Sequence, residues 1–342
     1  MRITLFSAGL GPGGGTAGVA FTLSAGLVAR GHHVRVVCRS ATACPDGVEV
    51  VADEGAPQPG DLRVGLDRIA GCDVVRASGG VHEMWSRVSA TSLSRWMRTT
   101  LPRERREARR EARALREARL VVCNAMRAAG EVQAWHGVPS ERVRIVRNGV
   151  DLARFRPDRD LRMAARRAWG AEGRVALFVG HGWWRKGLAN AVEAFARVAS
   201  ARDRLVVMGR DARSQSRLRA ARARLGDRLI APGPGDPAHW MPGADVLLHP
   251  TRYDASANAV LEAMACGVPP VTTSRDGAAE IVPARELVVG NPDDVQGIAN
   301  ALRYAWSASG MPDRWRGVAE AWPASRMVGA FESILQELRD GG

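Results

Sequence analysis

The sequence predicts an α/β protein of two doubly wound, Rossmann-like domains, and three observations carry that prediction. Each half opens with a short apolar strand that runs into a glycine-rich loop and then a helix: Arg2–Phe6 before Ser7–Gly15, and Val175–Gly180 before a loop ending at Gly187. Apolar runs without polar alternation recur along the chain, as in parallel strands covered on both faces. The 342 residues exceed one typical domain and, at 46% hydrophobic and 25% charged, suit two packed cores rather than a disordered or fibrous chain.

In chain order, a helix over Ala17–Arg30 stops at Gly31, and His33–Cys38 forms the second strand. Asp73–Val75, Leu120–Cys123 and Val143–Val146 supply further strands, with helices between them. One of these helices, Arg103–Arg119, has Ala108, Ala112 and Leu115 on a narrow stripe, while Glu104, Glu107 and Glu111 are spaced to pair with arginines three or four positions away. Asn148-Gly-Val-Asp151, followed by Phe155-Arg-Pro157, marks a turn and a change of unit. The first domain is therefore expected over 1–155 and the second over 156–322. The second continues from its opening loop through the amphipathic helix Leu188–Ala199 into the strand Arg204–Met208. A last helix around Met327–Leu338, within 323–342, closes the chain.

The most informative stretch is Tyr253 to Pro269, where Asp254 and Glu262 stand eight residues apart. Ala244–His249 reads as a buried parallel strand ended by Pro250, and Pro270–Thr273 as the next. Between them Asn258 is placed to cap a helix over Ala259–Ala265, with Gly267 as its left-handed stop and Pro269 preventing continuation. Glu262 is then expected in the first helical turn and Asp254 in the loop before it. Both would flank the unpaired N–H groups and positive dipole end where a diphosphate binds, with Ala255, Ser256, Ala257 and Asn258 supplying amides.

These residues resemble the retaining glycosyltransferases of family 4, in which an acidic residue, seven others and a glutamate bind a nucleotide sugar. His249–Asp254 and Val271–Ile281 look especially like the lipopolysaccharide core glucosyltransferase branch. The resemblance implies the GT-B fold: two Rossmann-like domains facing across a cleft, acceptor side first and nucleotide sugar second, with the last helix crossing back to the first domain. It also implies transfer of a hexosyl group, with UDP-glucose or another UDP-hexose as first donor, to a cell-surface glycan or lipid-linked acceptor such as lipopolysaccharide core, without a metal. A same-face displacement is implied, in which the departing phosphate helps deprotonate the acceptor.

Gly180-His-Gly-Trp-Trp-Arg-Lys-Gly187 closely resembles the family's Arg-Lys-Gly motif, with Arg185 able to fork onto a diphosphate and Lys186 to act as a point charge. Trp183 and Trp184 either cover this site or pack beneath it. The resemblance places Glu262 on the ribose, Asp254 on the donor sugar and the loop at Gly233 on the base. It sets His82 beside the reacting sugar and lets the backbone of Gly13, Gly14 and Gly15 approach donor or acceptor. Asp254 departs from the commoner glutamate by one methylene.

Other readings stay open at this level. His82 is equally readable as structural, and the glycine loop as a plain turn. Gly9, Gly11 and Gly14 also satisfy the dinucleotide fingerprint, but Cys38-Arg39-Ser40 stands where its ribose-binding acid belongs, and Arg39 would instead meet an NADP phosphate. Paired carboxylates suit a glycoside hydrolase too, although acids beside phosphate-binding loops fit donor binding better. A sugar-nucleotide epimerase or a glycan phosphorylase on the same fold is the main alternative.

Much of the net charge of +13 comes from arginine, and arginines are dense in the Arg103–Arg119 segment, which reads either as a solvated helix or as a surface for anionic lipid headgroups. No aromatic-studded motif accompanies it, which argues against nucleic acid. Cys38, Cys44, Cys72, Cys123 and Cys266 lack metal-ligand spacing and read as small core residues of a reducing compartment. No apolar run approaches the roughly 20 residues of a membrane span, and the start lacks a signal-peptide pattern. A cytoplasmic protein, peripheral at the inner membrane face if the arginines meet lipid, is expected.

Overall fold

A computed structural model describes residues 1–51, 60–88 and 101–340. It divides the chain into one unit of Met1–Gly149 with Ala324–Gly342 and another of Val150–Pro323.

Among the described residues, the first unit holds seven parallel strands: β1 (Arg2–Phe6), β2 (His33–Val37), β3 (Val48–Val51), β4 (Leu62–Gly65), β5 (Val74–Arg76), β6 (Leu120–Cys123) and β7 (Val143–Ile145). Their order is β3-β2-β1-β4-β5-β6-β7, so the winding reverses between β1 and β4. Helices α1 (Gly15–Val28), α2 (His82–Val88), α3 (Pro102–Glu117) and α4 (Met126–His136) fall between strands. The final helix of the chain, Ala324–Asp340, belongs to this unit. It buries Met327, Val328, Phe331, Ile334, Leu335 and Leu338, a stripe at helical spacing, in the core of Ile3, Leu5, Leu23, Leu27 and Val36.

The second unit holds β8 (Val175–Val179), β9 (Arg204–Met208), β10 (Leu229–Gly233), β11 (Val246–Leu248), β12 (Pro270–Thr273) and β13 (Val288–Val289), in the order β10-β9-β8-β11-β12-β13. All pairings are parallel, and the winding reverses between β8 and β11. Every residue of β8 and β11 is buried, which explains their unbroken apolar sequences. Helices α5 (Arg159–Ala168), α6 (Leu188–Val198), α7 (Ser214–Leu225), α8 (Pro237–Trp240), α9 (Asn258–Ala265), α10 (Val295–Ala308) and α11 (Pro312–Glu320) surround the sheet, and the helix closing the chain is α12.

Three local expectations are corrected. Asn258 is the first residue of α9 rather than its cap, because Ala257 occupies the cap position with extended backbone. Glu262 consequently lies one residue further into the helix than expected, beyond its first turn. On α3 the buried positions are Glu111, Ala114 and Leu115, so a carboxylate sits within the stripe read as purely apolar. Glu107 does pair with Arg110, but Glu104 and Glu111 reach away from the helix, to His82 and to Arg68 and His136.

Candidate functional site

In doubly wound sheets, ligands bind beyond the carboxyl ends of the strands where the winding reverses. In the second unit that place lies between β8 and β11. The loop after β8 carries Arg185 and Lys186, and the loop after β11 carries His249 and Asp254. Gly187 makes the first loop sharp: it holds φ +82°, and an added Cβ would overlap the Pro250 carbonyl oxygen. The chain can thus turn directly from Lys186 into α6. Thr251 ties the two loops, donating its hydroxyl to the Arg185 carbonyl at 3.0 Å, while the Arg252 amide donates to the same oxygen at 2.8 Å.

Arg185 donates through Nη1 to Asp254 Oδ2 at 2.9 Å and to the Tyr253 carbonyl at 3.0 Å. Lys186 is buried and pairs through Nζ with the same carboxylate oxygen, with His249 Nε2 at 3.3 Å on its other side. Burial alone would raise the Asp254 pKa, but the Lys186 and Arg185 charges outweigh it and hold the carboxyl well below its usual range. Burial, reinforced by Lys186, drives His249 well below its ordinary value, so the imidazole is neutral and its Nε2 accepts from the lysine. Arg185, Lys186, Asp254 and His249 together keep one uncompensated positive charge beside the amino end of α9, an arrangement suited to an anion.

Asp276, which follows β12, was not singled out from the sequence, yet it organises this loop. It is buried, and its Oδ1 accepts from the amides of Ala257 and Ala278, both at 2.9 Å, while Oδ2 accepts from the Thr272 hydroxyl at 2.9 Å. Burial and the charge of Asp254 push its carboxyl up to about 6. The Ala257 amide, expected to face a phosphate, is therefore engaged by Asp276. Residues Asp254 and Asp276 form a parallel bridge that fixes Ala255 and Ser256 between them and α9.

Glu262 is partly buried, and its carboxyl is pushed up to about 7, mainly by desolvation, with Arg154 opposing and Asp236 adding to the rise. Gly233 closes β10 with φ +91°, and its carbonyl accepts from the Gly209 amide. Trp183 packs beneath the loop, buried in the core with its indole N–H on the Gly180 carbonyl at 3.0 Å, whereas Trp184 lies under the guanidinium of Arg252.

The remaining expected residues belong to the first unit. Gly13, Gly14 and Gly15 are exposed at the start of α1, and an added Cβ on any of them would meet open space. His82 is buried as the first residue of α2. Its amide donates to Glu111 at 2.9 Å and its Nε2 lies 3.0 Å from the Glu104 carboxylate. Among the described residues no cluster of three or more His, Cys, Asp or Glu is arranged to hold a metal ion.

Residues 173–307 match the family model described as glycosyl transferases group 1, and residues 64–154 match the model for glycosyltransferase family 4. The chain belongs to the GT-B glycosyltransferases. It is 29% identical over 231 residues to the D-inositol 3-phosphate glycosyltransferase of Jonesia denitrificans, which covers 61% of this chain and 50% of that protein. It is 26% identical over 176 residues to the lipopolysaccharide glucosyltransferase WaaG of Escherichia coli, covering 49% and 46%. These matches span about half the length of either relative. The crystal structure of WaaG superposes with a TM-score of 0.80 at 22% identity over 99% of this chain and 100% of that one, which establishes the shared fold. Anabaena HepE, solved with UDP and glucose, superposes at a TM-score of 0.75 and 16% identity over 98% and 100%.

Proposed function

We propose that this glycosyltransferase moves a hexosyl group, with retention, from a nucleoside diphosphate sugar to a hydroxyl of a glycan or lipid-linked acceptor. The observation that carries the proposal is the meeting of Arg185, Lys186 and Asp254 at the winding reversal of the second sheet, with α9 and Glu262 following directly. In this reading the second unit binds the donor and the first unit the acceptor. Arg185 and Lys186 take the diphosphate and stabilise the charge that builds on it as the sugar bond breaks. Asp254 holds both cations in place and meets the sugar hydroxyls. Glu262 takes the ribose, the backbone at Gly233 the base, and His82 and the Gly13–Gly15 loop the reacting groups.

UDP-glucose is the first donor proposed, supported by the names of WaaG and of the HepE complex. For the acceptor, the name of WaaG supports lipopolysaccharide, of which the core is the part proposed, whereas the name of the Jonesia relative favours an inositol phosphate. Among the described residues no helix is long and apolar enough to cross a membrane. The exposed arginines of α3 are proposed to rest on anionic lipid at the cytoplasmic face, each basic residue contributing roughly 1 kcal/mol near the surface.

Thermal-shift titration against UDP, GDP, ADP and their sugars tests the reading, repeated with Glu262→Ala and with Arg185→Ala plus Lys186→Ala. Ligand at about 100 times its dissociation constant adds about 2.7 kcal/mol of stability. A rise with one nucleotide, lost in both variants, is expected. A response to NADP alone would overturn the assignment.

A further inference from the structure

His249 follows β11 directly, in the strand that lies beside β8 at the winding reversal of the second sheet. Its backbone continues the sheet, the amide donating to the Val271 carbonyl at 2.8 Å. Its side chain is wholly buried, with the ring tilted against Phe178 of β8 at a centroid distance of 6.4 Å. An aliphatic residue such as Leu247 or Leu248 before it would fill this place without taking two ring nitrogens out of water. Of those nitrogens, Nδ1 is buried and meets no hydrogen-bond partner among the described residues. An unmet polar atom of this kind destabilises a core, so the packing of the strand end does not account for an imidazole here. What the ring does supply is an acceptor at Nε2, 3.3 Å from Lys186 Nζ.

The kind of acceptor decides what it can do. Lys186 already shares Asp254 Oδ2 with Arg185. A second carboxylate against Nζ would cancel the positive charge that these three residues leave over, whereas a neutral imidazole directs the ammonium and keeps that charge in place. Asp254 and His249 take two of the three N–H groups of Lys186, which fixes where the third points. With Asp254 alone, the flexible four-carbon stem would be free to fold wholly onto the carboxylate, and an arriving anion would have to pull it away.

We propose that His249 is a positioning residue for donor binding, aiming the Lys186 ammonium at the donor diphosphate without touching the ligand itself. The inference rests on the transferase reading above, in which Lys186 takes that diphosphate.

The test is calorimetric titration of the full chain with UDP and, separately, with inorganic pyrophosphate. The variants are His249→Leu, His249→Met, His249→Gln and Lys186→Met, together with each apolar His249 variant combined with Lys186→Met. Both apolar replacements lose about tenfold or more in affinity for the two probes, the scale of one hydrogen bond to a charged group. His249→Gln, whose amide oxygen is again a neutral acceptor, recovers most of that loss. In the presence of Lys186→Met the apolar replacements cost nothing further, because a residue that acts through the ammonium has nothing left to position. A histidine that only filled the strand end would give losses that add. Thermal melts establish which variants are folded, and either apolar variant suffices to complete the cycle. The proposal is overturned if the folded apolar variants bind like wild type, if His249→Gln loses as much as they do, or if the losses at positions 186 and 249 add. Wild type that takes pyrophosphate but not UDP counts against the donor reading and leaves the cycle to be read on pyrophosphate; wild type that takes neither probe overturns the role of His249 as well.

Discussion

Replacing Glu262 by glutamine should make the empty protein more stable, and increasingly so as the pH rises. The folded carboxyl is pushed up to about 7 from its ordinary 4.5, chiefly by desolvation. A group whose folded pKa lies above its unfolded value contributes stability that is complete below the unfolded value and is lost as pH climbs through the folded one. The unfolded chain thus releases this proton from about pH 4.5 upwards, whereas the folded chain holds it until near pH 7. A displacement of that size corresponds to about 3 kcal/mol lost between pH 4.5 and 8. The amide of Glu262→Gln does not titrate, so any fixed penalty for burying it leaves the pH slope untouched. For a unit of this size each kcal/mol moves Tm by roughly 2 to 4 °C, so the Tm of the variant should gain roughly 6 to 12 °C on wild type between pH 4.5 and 8. Paired thermal melts across that range measure it directly. A difference that stays flat, or that shrinks with pH, would refute the view that Glu262 is an ill-solvated carboxyl awaiting hydroxyl partners.

Three further outcomes follow from the same site. Ribose hydroxyls on Glu262 would favour its charged form, so UDP binding at pH 7 should release a fraction of a proton, giving different apparent enthalpies in buffers of different ionisation enthalpy; identical enthalpies, or release that persists in Glu262→Gln, would contradict the assignment. Asp276→Ala strips the Ala257 and Ala278 amides and the Thr272 hydroxyl of their acceptor and should cost roughly 3 to 5 kcal/mol in denaturant melts, while Asp276→Asn, which keeps Oδ1, stays within about 1 kcal/mol. Gly187→Ala forces a left-handed alanine against the Pro250 carbonyl and should lower stability by about 2 kcal/mol or more, together with loss of nucleotide binding; a variant melting with wild type would mean the loop has room to relax.

The parts of this fold that were legible in the sequence are those where local pattern and burial coincide. β1, β6, β9 and β12 sit at the residues read from their apolar runs, and Gly267, with φ +76°, ends the helix it was expected to end. Asp254, Arg185 and Lys186 were named because loops after parallel strands point their polar residues at one edge. What stayed hidden depends on partners distant in the chain. Asp276 looks like an ordinary turn residue until Ala257, nineteen positions earlier, is folded against it. His249 reads as the tail of a strand, and only Lys186 beside it makes it a neutral acceptor. Glu111 belongs by composition to a charged surface helix, yet α2 and α4 bring His82 and His136 onto it. A strand as short as β13, at two residues, lacks enough periodicity to be recognised alone.

Val150 and Pro323 form a parallel bridge, and the Val150 amide donates to the Trp322 carbonyl at 3.0 Å. The stretch between them therefore begins and ends at one spot, while the polypeptide on either side builds the other sheet and its α12. Genetically, the second unit is an uninterrupted cassette with adjoining ends. It is joined to the rest of the chain through two neighbouring splice points, whereas the first unit is split into two fragments by it. Cuts at 149/150 and 323/324 sever no strand of either sheet.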